Sequence, residues 1–153
     1  MRPYYEHDGV AIYCGKAEEI CRRIPATFDT LFYDPPFSVT TVNFRERLAS
    51  MPAPRFVVAM LNPEHGYVLL EYGVQIAAEV DRRLQPAPLL WYPHARPVER
   101  IRGILQQTSG RILDPYMGSG STLIAARELG REAIGVELEM EYCQLAEARL
   151  HWS

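Results

Sequence analysis

Apolar residues come in short runs broken by Pro, Gly and polar residues, and between some runs their spacing changes from continuous to every third or fourth position. Val10 to Tyr13, Thr30 to Tyr33, Arg55 to Leu61, Leu89 to Tyr92, Arg111 to Asp114 and Ala133 to Val136 have the length and β-rich composition of buried strands. Helical spacing is expected in four places. Lys16 to Arg23 ends before Pro25. Tyr67 to Leu84 carries Leu70, Val74, Ala77, Ala78 and Leu84, and Pro86 and Pro88 stop it. Pro97 suits a first helical turn, with Val98, Ile101 and Leu105 as the buried stripe. Leu123, Ala126 and Leu129 form the fourth stripe, which Gly130 ends in the left-handed position. Ser38 to Pro54 is polar, with Arg45 and Arg47, and reads as a loop and short helix over a site.

The stretch from Arg111 to Leu138 is the most informative. It reads as strand, glycine loop, helix, strand, and both strands end on a carboxylate, Asp114 and Glu137. Gly118 and Gly120 flank Ser119, so the backbone can turn sharply and a ligand can approach the main chain. Ser121 or Thr122 is the expected helix cap. This is a βαβ half of a Rossmann-like α/β sheet, whose ligands bind at the carboxyl ends of the strands. An acidic residue about twenty positions after the loop can accept both hydroxyls of a ribose, and Glu137 occupies that place. A nucleoside-containing cofactor follows. G-x-G-x-x-G is absent and no Lys follows the loop, which argues against a dinucleotide pyrophosphate and a Walker A cradle. A ligand without phosphates, such as S-adenosylmethionine, fits a loop between Asp114 and Glu137.

A second signal is F-D-T-L-F-Y-D-P-P-F, Phe28 to Phe37. Pro35 and Pro36 fix φ and remove two amide donors, making a stiff tetrapeptide after a strand. Asp34 and a main-chain carbonyl can accept the two protons of an exocyclic base amine while Phe37 stacks on the ring. The nitrogen lone pair is then free to attack a sulfonium methyl. A base treated this way must first leave its helix.

Composition restricts the class. The chain of 153 residues is expected to form one domain over residues 1–153, with no membrane span and no secretory signal. Cys14, Cys21 and Cys143 lack metal-ligand spacing, and scattered thiols in odd number predict a reduced, cytoplasmic setting without metal. Net charge is −3, so there is no global pull toward nucleic acid. The bases are nearly all Arg, with Lys16 the only lysine; Arg suits bidentate phosphate and base contacts, but a compositional bias of the source accounts for the excess more readily.

The two motifs together resemble the amino-methylating DNA methyltransferases. D-P-Y-M-G-S-G-S-T, followed by G-R-E-A-I-G-V-E-L and Tyr142, is similar to that family's cofactor segment, with Ser121 where the family writes Thr. D-P-P-F is similar to its catalytic tetrapeptide, and the Asp form favours adenine N6 over cytosine N4. G-V-A-I-Y-C-G-K-A-E-E-I resembles the family's opening strand and helix. P-H-A-R-P-V-E-R-I-R-G-I-L resembles its third signature, with Arg96 for the usual Lys and shorter His-to-Pro spacing.

The order of these motifs is the permuted one of the beta group. The resemblance implies a permuted methyltransferase sheet with helices on both faces. It also implies S-adenosylmethionine held by Asp114, Pro115, Gly118, Ser119, Gly120, Glu137, His94 and Arg96, and catalysis by Asp34, Pro35, Pro36 and Phe37. DNA is the implied partner. Asp34 and Asp114 are 80 positions apart (114 − 34), which leaves little room for a target-recognition region. Recognition is then expected from the Ser38 to Pro54 loop, a homodimer or a separate subunit. An accessory module without turnover is the competing class, and an RNA or protein amide methyltransferase a third, which the motif order disfavours.

Overall fold

A computed structural model of the chain describes residues 1–24, 27–34, 54–62, 66–71 and 97–152. The elements are β1 (Tyr5–His7), β2 (Val10–Cys14), α1 (Ala17–Cys21), β3 (Thr30–Tyr33), β4 (Phe56–Asn62), β5 (Gly66–Glu71), α2 (Pro97–Leu105), β6 (Ile112–Asp114), α3 (Ser121–Glu128), β7 (Ala133–Glu137) and α4 (Met140–Trp152). The seven strands form one sheet in the order β1-β2-β7-β6-β3-β4-β5. The five inner strands run parallel, and β1 and β5 pair antiparallel at the two edges.

The inner strands are apolar on both faces because helices cover both, as a parallel sheet requires. Val10, Ile12, Phe32, Ile112 and Ala133 face a core shared with Ile101, Leu105, Leu123, Ala126, Cys143, Ala146 and Leu150 of α2, α3 and α4. Tyr13, Leu31, Tyr33, Leu113, Ile134 and Val136 face the other side, where α1 contributes Ala17, Ile20 and Cys21. The alternation from Ile12 to Tyr13 and from Leu31 to Phe32 is the period-two geometry of a strand read twice.

One expected element is overturned over its first residues, Tyr67 to Glu71. Tyr67 to Leu84 was expected to be helical, but Gly66–Glu71 is strand β5, paired from Phe56↔Glu71 to Asn62↔Gly66 with a bulge after Met60. Of the helically spaced positions only Leu70 falls in this run, and Gly66 to Glu71 is by composition also a good strand. Pairing with β4 engages one side of its backbone, and tertiary pairing outweighs local propensity. Asn62-Pro63 and Gly66 are the turn signals that mark the hairpin. The remainder of that segment, the expected strand Leu89 to Tyr92 and the expected loop over residues 38–53 lie outside the described residues.

A second correction concerns the start of α3. Neither Ser121 nor Thr122 caps it. Gly120 is the N-cap, at φ 78°, with no side-chain cap bond. The helix begins one residue earlier than the hydroxyls suggest, which leaves Ser121 and Thr122 inside the first turn and free for other bonds. Strand β1 adds a hairpin not legible from apolar runs; its turn is Asp8-Gly9, with both residues at positive φ (47° and 76°), the Asp-Gly turn of two-residue hairpins.

Candidate active site

Three carboxylates stand at the carboxyl ends of three neighbouring parallel strands. Asp34 directly follows β3, Asp114 ends β6 and Glu137 ends β7. The chain leaves β3 toward β4 on one side and leaves β6 toward β7 on the other. The connections therefore diverge above β3 and β6 and open a crevice, the switch point where doubly wound sheets bind ligands.

Asp114 is 2% exposed. Its Oδ1 accepts the Tyr116 N–H at 3.0 Å, and the buried Thr122 hydroxyl also bonds its carboxylate. Burial pushes its pKa up to about 7, against the pull of those two bonds, and the charges of Asp34 and Glu137 add to the rise. Burial likewise pushes Asp34 up to about 6.

The glycine loop between β6 and α3 is tied to β7. Gly118 N–H donates to Glu137 Oε2 at 3.0 Å, and Glu139 N–H donates to Oε1 at 2.9 Å. Each carboxylate oxygen thus has one main-chain donor and a remaining lone pair. Met117 N–H donates to the Val136 carbonyl at 3.0 Å, which seats the loop over β7. This close seating needs Gly135, where an added Cβ would come within 2.4 Å of Met117 Sδ and 2.8 Å of Leu123 Cδ1.

The two predicted loop glycines do different work. Gly118 is at φ 52° and an added Cβ would meet nothing within 4 Å, so the main chain there is open to a ligand. At Gly120 (φ 78°) an added Cβ would lie 2.7 Å from Ala146 Cβ, so its lack of a side chain serves packing against α4 rather than ligand approach. Ser119 also turns toward α4: Arg149 Nη1 donates to its carbonyl at 2.6 Å and its hydroxyl at 2.7 Å.

A cavity of about 480 Å³ lies at this edge, lined in part by Asp34, Pro115, Tyr116, Glu137 and Leu138, with Gly15, Lys16 and Glu18 from the β2–α1 turn. The structure thus brings together Asp34, Asp114, Pro115, Gly118 and Glu137. Pro35, Pro36, Phe37, His94 and Arg96 lie outside the described residues. Tyr116, Glu18 and Thr122 also belong to the site, although the motifs that contain them gave them no site role. Tyr116 packs edge-on against Tyr33 at 5.4 Å, and its hydroxyl donates to Glu18 Oε1 at 3.4 Å. The carboxylates of Glu18, Asp34, Glu137 and Glu139 outnumber Lys16 around the cavity, which favours a cationic ligand over a phosphate. Among the described residues no group of three or more His, Cys, Asp and Glu could hold a metal, and no helix is long and apolar enough to cross a membrane.

Residues 78–148 match the DNA methylase family. A stretch of 73 residues is 37% identical to the Type II methyltransferase M.ScaI of Streptomyces caespitosus, covering 48% of this chain and 23% of that protein. The chain therefore spans less than a quarter of the length of this curated relative. The crystal structure of the M1.HpyAVI–SAM complex superposes with a TM-score of 0.63 at 21% identity, over 92% of this chain and 98% of the other. The PvuII cytosine-N4-specific DNA methyltransferase superposes with a TM-score of 0.63 at 13% identity, over 97% and 88%. The chain has the α/β fold of these DNA methyltransferases, and its residues 78–148 carry the sequence pattern of the DNA methylase family.

Proposed function

We propose that the protein transfers a methyl group from S-adenosylmethionine to the exocyclic amine of a DNA base, adenine N6. The observation that carries this reading is the shared cavity of Asp34 and Glu137 on either side of the buried Asp114. One carboxylate binds a ribose and the other meets an amine, across a crevice of about 480 Å³, within the roughly 300–1,000 Å³ of small-molecule sites. The match to the DNA methylase family and the structural likeness to a SAM complex support the same cofactor and substrate.

The chain's residues fit the cofactor. Glu137, oriented by Gly118 and Glu139, offers two oxygens to the ribose hydroxyls. Pro115 and Tyr116 form an apolar wall, and the acidic lining suits a sulfonium. Ser119 would contribute through its backbone N–H, since Arg149 holds both its carbonyl and its hydroxyl oxygen. His94 and Arg96 would hold the methionine end. When bound, S-adenosylmethionine supplies an electrophilic methyl. Asp34 would accept a hydrogen bond from the base amine and keep the nitrogen lone pair directed at that methyl. Pro35 and Pro36 hold the second acceptor carbonyl, and Phe37 stacks on the base, which must be flipped out of its duplex. The N–C bond would form as the methyl's bond to sulfur breaks, leaving the electron pair on a neutral thioether, and the amine proton would pass to solvent afterwards, so no strong base is required. In this reading the motifs run in the permuted order, with the catalytic strand β3 earlier in the chain than β6 yet beside it in the sheet.

The test is transfer of labelled methyl from S-adenosylmethionine to unmethylated DNA, followed by digestion to nucleosides, with Asp34→Ala as control. Label in N6-methyladenine that disappears in the variant is the expected result. Label in N4-methylcytosine overturns the base assignment and keeps the reaction. Cofactor binding without any label overturns the enzyme and favours an accessory module that needs a separate partner or a second copy for recognition.

A further inference from the structure

One face of α4 meets both halves of the cofactor site at a spacing of three residues. Cys143 Sγ donates to the Glu137 carbonyl at 3.7 Å. Ala146 lies where a Cβ on Gly120 would be, 2.7 Å from its own Cβ. Arg149 Nη1 reaches the Ser119 carbonyl at 2.6 Å, the Ser119 hydroxyl at 2.7 Å and the Ser121 hydroxyl at 3.2 Å. Residues three apart share a helix face, so this single face bears on the end of β7 and on the loop after β6.

Arg149 lies in the last turn of α4, where a cation suits that helix's dipole, but its guanidinium extends away to the start of α3. It sits beside Ser121, the first residue of α3, where the helix dipole disfavours a cation. Three acceptors from the loop and first turn hold it there against that field. The loop it grips is the one whose Gly118 N–H aims Glu137.

From this geometry we infer that Arg149 is a positioning residue for cofactor binding: it locks the Ser119–Ser121 turn so that Gly118 N–H and the Glu137 carboxylate are pre-set before the ligand arrives. The inference rests on the proposed S-adenosylmethionine site. Pre-setting the loop lowers the ordering cost of binding and leaves the chemical step alone.

Two readouts on the full chain separate this inference from the proposed function. The first is amide hydrogen exchange of Gly118 and Gly120, whose N–H groups are bonded to Glu137 and to the Met117 carbonyl, in the free protein. Arg149→Met is expected to speed their exchange about tenfold or more, as loss of a charge-assisted bond predicts, with the amides of β6 and β7 unchanged. The second is calorimetric binding of S-adenosylmethionine. The dissociation constant is expected to rise about tenfold in Arg149→Met, with kcat at saturating cofactor within about twofold of wild type and most of the loss recovered by Arg149→Lys. Unchanged loop exchange overturns the inference whatever the ligand. Faster exchange with unchanged affinity overturns it as a statement about cofactor binding, as does a loss that Lys does not recover and that tracks global stability. A wild-type chain that binds no S-adenosylmethionine overturns the proposed function, and the inference's cofactor claim with it.

Discussion

Gly118 and Glu137 are joined by a 3.0 Å hydrogen bond from main chain to carboxylate, which couples the loop after β6 to the end of β7. A second donor, Glu139 N–H, fixes the other oxygen at 2.9 Å. The carboxylate is therefore pre-oriented by the fold and not by a ligand. Glu137→Ala is expected to weaken S-adenosylmethionine binding by about tenfold to a hundredfold, the range for removing an acceptor that serves two hydroxyls. Because Glu137 is only partly buried, the melting temperature is expected to change little. Calorimetry beside a thermal melt checks both, and undiminished affinity would remove Glu137 from the ribose site.

The two loop glycines are expected to respond differently to Ala. Gly118→Ala meets no atom within 4 Å and should cost about 1 kcal/mol, the left-handed backbone strain alone. Gly120→Ala adds a 2.7 Å contact with Ala146 Cβ and 3.3 Å with its Cα, and should cost about 1–3 kcal/mol more. Urea unfolding of the two variants measures this, and equal losses would contradict the packing role given to Gly120.

Activity should depend on the charge of Asp34. In the proposed reaction it accepts from the base amine, and its ionised form is the stronger acceptor; burial places its pKa at about 6. Methyl transfer is therefore expected to fall as pH drops through about 6. Asp34→Asn should be weakly active with that limb missing. A pH profile of kcat/KM for both proteins gives the answer, and a retained acid limb in the variant would assign it to another group.

Asp114 ties stability to pH in the opposite sense from a salt-bridged carboxylate. Its pKa is raised from the ordinary value near 4 to about 7, chiefly by burial. The fold thus binds this proton more tightly than the unfolded chain does. The stabilisation is full below about pH 4 and is lost as pH rises through about 7. Asp114→Asn, neutral throughout, should gain relative to wild type between pH 5 and pH 8. Urea midpoints of both proteins at the two pH values test this, and a pH-independent difference would show that Asp114 keeps an ordinary pKa.

Thr30 and Arg131 form a buried polar joint at the other end of β3. The Thr30 hydroxyl donates to the Ser109 carbonyl at 2.9 Å and accepts from Arg131 Nη2 at 3.1 Å. Thr30→Val keeps the shape and removes both bonds. It should cost about 1–2 kcal/mol in urea unfolding, since the Ser109 carbonyl loses its donor and Arg131 loses one of its acceptors.

The strands were legible where an apolar run had no competing period: Val10, Thr30, Phe56, Ile112 and Ala133 each begin an observed strand within a predicted run. The hairpin at Gly66 was not, because Tyr67 to Glu71 was read together with the apolar positions that follow it, and a short run is decided by the neighbour it pairs with. Helix α4 was not legible either. Its buried positions Cys143, Ala146 and Leu150 alternate with the exposed Tyr142, Leu145 and Trp152, which blurs any apolar face.

The sequence by itself determined the chemistry on offer. Asp34 before two prolines, Asp114 before a glycine loop and Glu137 some twenty positions on are local patterns, and local patterns survive in one dimension. Only the tertiary structure decided how they share a site. Strand order sets β3 beside β6, although many residues separate them in the chain, and this makes the crevice. The same packing divided the roles of Gly118 and Gly120, turned Ser119 toward Arg149 and buried Asp114 deeply enough to raise its pKa. These outcomes depend on which surfaces meet and how much water is excluded between them, and neither quantity is carried by residue spacing.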